Sequence, residues 1–171
     1  MKFLALLAAG TLGLATQLTA ETELITNDKF ADGGATWALK AAPDASATMS
    51  IAEDGADKVL FIEVSEPPQD KDPAPDVRLH RLFGEVTTDK EYKVSFKAKA
   101  EQPTKVISFI YPENEGSRVL WRVEVALDSD WKEFNYTFKG RDTADNCVFG
   151  FSNLGKAANK YYFKDVVLSS D

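Results

Sequence analysis

The chain has 171 residues, 44% of them hydrophobic and 11% aromatic, with 27 acidic against 20 basic residues and a formal net charge of -7. That apolar content supports one real core and excludes an intrinsically disordered chain, while the negative balance argues against nucleic-acid phosphates and anionic lipid heads as partners. The one cysteine, Cys147, excludes an intrachain disulfide, so the fold must rest on packing or on a metal.

Residues 1–20 read as a secretory signal peptide. Lys2 supplies a positive start, Phe3 to Ala15 is apolar or small, and Thr16 to Ala20 turns polar before an acidic chain. The apolar run is short for a membrane span, and no other run is long enough to cross a bilayer. Cleavage is expected after Ala20, with Ala15 as the alternative. Residues 21–171 then form a single exported domain, secreted or periplasmic, with no membrane insertion.

From Glu23, "ELITNDKFADGGATWALK" runs from an apolar pair through a polar turn with two glycines to Trp37. Beyond it the apolar period is two almost everywhere. In "KVLFIEVS", Leu60, Ile62 and Val64 oppose Val59, Phe61 and Glu63, which predicts a strand covered on both sides near its start. "SEPPQDKDPAPD", from Ser65 to Asp76, holds four prolines and four acidic residues, and predicts a stiff solvated loop between strands. "DVRLHRLF" sets Val77, Leu79 and Arg81 against Asp76, Arg78 and His80. "YKVSFKAKA" alternates Tyr92, Val94, Phe96, Ala98 and Ala100 with a lysine-rich face. "WRVEVAL" sets Trp121, Val123, Val125 and Leu127 against Arg122, Glu124 and Ala126. "FNYTFKG" sets Phe134, Tyr136 and Phe138 against polar partners. "NCVFGFSN" sets Cys147, Phe149 and Phe151 against Val148, Gly150 and Ser152, and "YYFKDVVLS" closes the chain. Turn signals such as "EDGADK", "TTDKE" and "DSD" separate these runs, and no segment sustains a helical period. The pattern predicts an all-β sandwich of antiparallel sheets.

No GxSxG, HExxH, Walker A, GxGxxG or CxxC motif is present. A protein without catalytic residues is therefore expected. A small polysaccharide hydrolase or lyase is the least favoured alternative, since a glycosidase needs only two carboxylates. His80, the single histidine, cannot build a multi-histidine metal site. Arg78 and His80 share one strand face, with Arg122 expected nearby. Planar polar side chains beside aromatic rings suit sugar hydroxyls and C–H faces; the alternative is an ordinary wet face. Trp121 has two readings, core by its alternation and ligand platform by its place beside "PENEGSR". Tyr111, at a strand end before Pro112, is a candidate rim aromatic. Trp37 and Trp131 read as core or sheet-corner packing, and Cys147 as a buried inert thiol.

Three stretches carry a resemblance: "LITNDKFADGGATWAL", "EYKVSFKAKAEQP", and "VEVALDSDWKEFNYTF" with "FSNLGKAANKYYFKDVVLSS". Together they resemble the CenC-like carbohydrate-binding modules across nearly all of Leu24 to Ser169. The resemblance implies a galactose-binding-like jelly roll whose first and last strands meet. It implies a structural calcium held near the N-terminal turn and by the last strand, which here offers Asp32 and Asp165. It also implies a polysaccharide or oligosaccharide lying across a concave sheet, with Arg78, His80, Tyr111, Trp121, Arg122 and Asn153 as the candidate contacts. Because Arg78, His80 and Arg122 would make that face basic, an acidic or sulfated glycan is expected over a neutral one. A protein partner without sugar binding is the alternative.

Overall fold

The computed structural model describes residues 21–26, 30, 33–69, 77–115 and 118–171. The leader, Asp32, Asp76 and most of the proline-rich loop lie outside the described residues. The strands are β1 (Thr22–Ile25), β2 (Ala38–Lys40), β3 (Ser46–Asp54), β4 (Asp57–Glu66), β5 (Arg78–Val86) and β6 (Glu91–Ala100). They continue as β7 (Thr104–Pro112), β8 (Trp121–Leu127), β9 (Lys132–Lys139), β10 (Ala144–Ser152) and β11 (Asn159–Ser170). A 3-10 turn, Leu154–Lys156, precedes β11. Two antiparallel sheets result. One runs β3-β4-β11-β6-β9, with β1 added against β11; the other runs β2-β5-β10-β7-β8. This is the sandwich of antiparallel sheets that the alternation predicts, with the jelly-roll form that the family resemblance implies.

The period-two residues meet between the sheets. Phe96 of β6 and Phe163 of β11 face Phe151 of β10, with ring centroids 4.9 and 4.3 Å from it. Trp37 adds an edge contact to Phe149 at 6.3 Å, so it is a core residue. Burying one such large apolar side chain stabilises by about 1.5–3 kcal/mol relative to leaving it exposed. Cys147 is fully buried, and burial pushes its thiol pKa up, as expected of an inert thiol.

The opening stretch closes the chain on itself. Thr22 pairs with Ser170, Glu23 with Ser169 and Ile25 with Leu168. Past β1 the chain turns through Gly33 and Gly34, at φ 69° and 77°, where the Gly33 N–H donates to the Phe30 carbonyl and the Trp37 N–H to the Gly34 carbonyl, both at 2.9 Å. Leu60, Ile62 and Val64 of β4 point into the core and Val59 is equally buried, while Phe61 on the other side leans on Tyr162 at 5.1 Å. The double coverage read from "KVLFIEVS" is therefore present.

Candidate functional site

The five-stranded sheet has an inner face in the core and an outer face whose residues come from four neighbouring strands. Register places His80, Gly150, Phe109 and Arg122 in one row across β5, β10, β7 and β8. Two residues along, Ile107 sits between Ser152 and Glu124, and Arg78 pairs with Lys40 on β2. On the other side Tyr111 stands opposite Val148, which stands opposite Leu82.

At the centre is an aromatic pair. Phe109 and Tyr111 point the same way from β7 and stack with centroids 5.0 Å apart. Phe109 lies over Gly150, where an added Cβ would come within 2.9 Å of its Cζ and 2.2 Å of the Leu79 carbonyl oxygen. Only glycine admits both the ring and the neighbouring strand at that point. Phe109, Tyr111, Ile107, Arg78, Arg122 and Ser152 border a shallow hollow of about 170 Å³. That is several times the roughly 30 Å³ a water occupies in the liquid.

The polar groups around it are poorly partnered. The Arg78 Nε and His80 Nδ1 atoms are buried without a hydrogen-bond partner among the described residues. His80 is only 5% exposed, and burial, followed by Lys40, holds its pKa below 6.5, with Glu113 opposing and Arg78 assisting. That shift favours the neutral ring, so the positive charge of this face comes from Arg78, Arg122 and Lys40. Glu124 is taken by Lys105 at 2.8 Å, and that contact lowers its pKa.

A family model described as a carbohydrate binding domain matches residues 22–154. The chain belongs to the carbohydrate binding domain family. The search of curated proteins found no match. Among solved structures, a CBM4 domain is 24% identical at a TM-score of 0.65, covering 87% of this chain and 94% of its own. A family 11 carbohydrate-binding module from Clostridium thermocellum, in complex with a β-1,3-1,4-mixed-linked tetrasaccharide, is 14% identical at 0.62, covering 86% and 94%. The N-terminal cellulose-binding domain of Cellulomonas fimi β-1,4-glucanase C is 16% identical at 0.61, covering 81% and 91%. At these identities the likeness is one of fold.

Within this carbohydrate binding domain, the structure brings Arg78, His80, Tyr111 and Arg122 to one face, with His80 beneath its surface. Asn153 follows Ser152 at the rim, in a left-handed conformation at φ 64° that starts the 3-10 turn. Trp121 is not on this face. It points to the opposite side of β8 from Arg122, stacks on Phe138 at 5.5 Å and approaches Tyr136 at 5.7 Å. There it lines a larger groove of about 770 Å³ along the flank of the sandwich, with Phe138, Thr88 and Arg141, and this groove shares Val119 and Arg122 with the hollow. Its alternation sets the ring against the core, as the first of its two readings has it, while its half-buried edge borders the flank groove.

Phe109 and Ile107 also border the hollow, and a reading by polar side chains does not single them out. Their signal lies in "TKVISFIYP", where the side facing away from Val106 and Ile110 reads Lys105, Ile107, Phe109 and Tyr111. Phe109 itself is only 5% exposed, so the half-buried Tyr111 is the ring of the pair that is open to a ligand.

Of the two expected metal ligands, Asp32 lies outside the described residues. Asp165 sits at an irregularity of β11, at φ 53°, and its carboxylate takes Lys97 Nζ at 3.0 Å. Calcium takes 6–8 oxygens. Among the described residues no group of three His, Cys, Asp or Glu gathers to hold a metal, so Asp165 alone does not make a site.

Proposed function

We propose that this domain is an exported, non-catalytic module that holds a polysaccharide or oligosaccharide along the outer face of the β2-β5-β10-β7-β8 sheet. The observation that carries the reading is the Phe109–Tyr111 stack in the same hollow as Arg78 and Arg122. Aromatic faces take the C–H side of a sugar ring, and fixed polar side chains take its hydroxyls. Membership of the carbohydrate binding domain family supports it, as does the mixed-linked tetrasaccharide bound by a fold relative. A protein partner is the second reading, favoured by the apolar Leu82 and Val119, which are 53% and 52% exposed.

Affinity electrophoresis through gels containing soluble polysaccharides tests the site. A retained polysaccharide should bind Tyr111→Ala about tenfold more weakly, a loss of ~1.4 kcal/mol, within what an aromatic contact supplies. Full retention by that variant would move the site off this face.

A further inference from the structure

Resting on the carbohydrate-binding reading above, we propose that the sugar chain carries an anionic group, a carboxylate or a sulfate, which Arg78 and Arg122 receive. The two arginines border one hollow from strands β5 and β8, with Phe109 and Tyr111 between them. Three strand spacings separate β5 from β8, roughly 14 Å, so the two arginines flank the aromatic pair from opposite sides of the hollow.

Among the described residues, the acids that act on this face are Glu124, within electrostatic reach of Arg122, and Glu113, within reach of His80. Among the described residues neither guanidinium makes an ion pair or a hydrogen bond, and the Arg78 Nε is buried without a partner. The opposite sheet differs: Lys93, Lys97, Lys99 and Lys164 are each tied to an aspartate within 3.4 Å. Of the acids near the hollow, Glu124 is held by Lys105 and Glu113 is exposed at its margin. Lys40, beside Arg78 in register, adds a third cation.

The chain as a whole carries a net charge of -7. Leaving a partly buried guanidinium unpaired costs its desolvation without return, unless the partner arrives with the ligand. Arginine's planar fork matches a pair of anionic oxygens, and a charge-assisted pair is about twice as strong as a neutral hydrogen bond. The same net charge repels polyanions from the rest of the surface. Retention of a polyanion therefore reports a built site.

The test is affinity electrophoresis in gels of polygalacturonate, methyl-esterified polygalacturonate, chondroitin sulfate and a neutral mixed-linked β-glucan. Retention by polygalacturonate or chondroitin sulfate should exceed that by the neutral glucan. It should fall at least tenfold as salt rises toward 1 M, where the screening length is about 3 Å. Retention by the uronate alone, lost on esterification, identifies a carboxylate; retention by chondroitin sulfate in preference identifies a sulfate. Arg122→Gln, at an exposed position, should weaken that binding about tenfold with an unchanged circular dichroism spectrum, and Arg78→Lys should weaken it by losing the fork. Preferred retention by the neutral glucan, lost on Tyr111→Ala but not on Arg122→Gln, would overturn the anionic ligand and leave the sugar-binding face standing. Retardation in none of the gels would overturn both.

Discussion

Burial sets the state of His80. Its ring is enclosed on the sheet face with Arg78 and Lys40 as neighbouring cations, and only Glu113 favours the charged form. In the unfolded chain this histidine takes its proton at about 6.5; in the folded chain it does so only at lower pH. Between those two values the unfolded state binds more protons, so stability is full above 6.5 and is lost as pH falls toward the folded value. Melting temperatures should therefore drop as pH goes from 7 toward 5, and His80→Gln should flatten that part of the profile. An identical pH dependence in the variant would remove His80 as the cause. The sequence showed His80 and Arg78 on one face through simple alternation. It did not show that the histidine lies beneath that face, because its depth depends on neighbours from other strands.

At the scale of elements, two contacts tie strands together outside the core. Asp54, at the end of β3, accepts from the Trp131 indole N–H at 2.6 Å and from Lys99 at 3.2 Å. Lys99 and Lys164 lie 4.8 and 4.6 Å from the Trp131 ring, and Lys164 pairs with Asp57 at 2.7 Å. One indole thus links the β3–β4 hairpin, β6, β11 and the β8–β9 turn. The expectation of sheet-corner packing for Trp131 holds in this form. The Trp131 and Lys99 contacts lower the Asp54 pKa below 3.8. Their contribution is present above 3.8 and is lost as pH falls through the folded value. Asp54→Asn should lower the melting temperature at pH 7 by roughly 2–4 °C, the shift that a loss of ~1 kcal/mol gives in a chain of this size. An unchanged melting curve would make the cluster ornamental.

The β1–β11 pairing is the second such contact, and calcium near it is a proposal that rests on Asp165 as its one described carboxylate. An ion bound by the folded chain alone would raise its melting temperature by mass action. Calcium should produce that rise, Asp165→Ala should abolish it, and EDTA should reverse it. Melting that ignores both calcium and EDTA would leave the clasp to the strand pairing alone.

For the molecule as a whole, the sandwich was legible because each strand writes its buried face at every second residue. "YKVSFKAKA" and "NCVFGFSN" place Phe96 and Phe151 opposite each other across the core, as their alternation predicts. The site was legible only in part. Arg78, Arg122 and Tyr111 announce themselves as polar or rim residues, whereas Phe109 looks like core until the register sets it over Gly150 on the outside. Trp121 is ambiguous in the other direction, since a tryptophan at a strand start suits a platform as well as a flank. The central claim is that this outer face, and not the flank groove beside Trp121, holds the glycan. Backbone amide chemical-shift mapping during titration with fragments of the best-retained polysaccharide tests it most directly. Shifts should concentrate on β5, β7, β8 and β10, at Arg78, Phe109, Tyr111, Arg122 and Ser152. Shifts confined to Thr88, Phe138 and Arg141 around the flank groove would contradict the account.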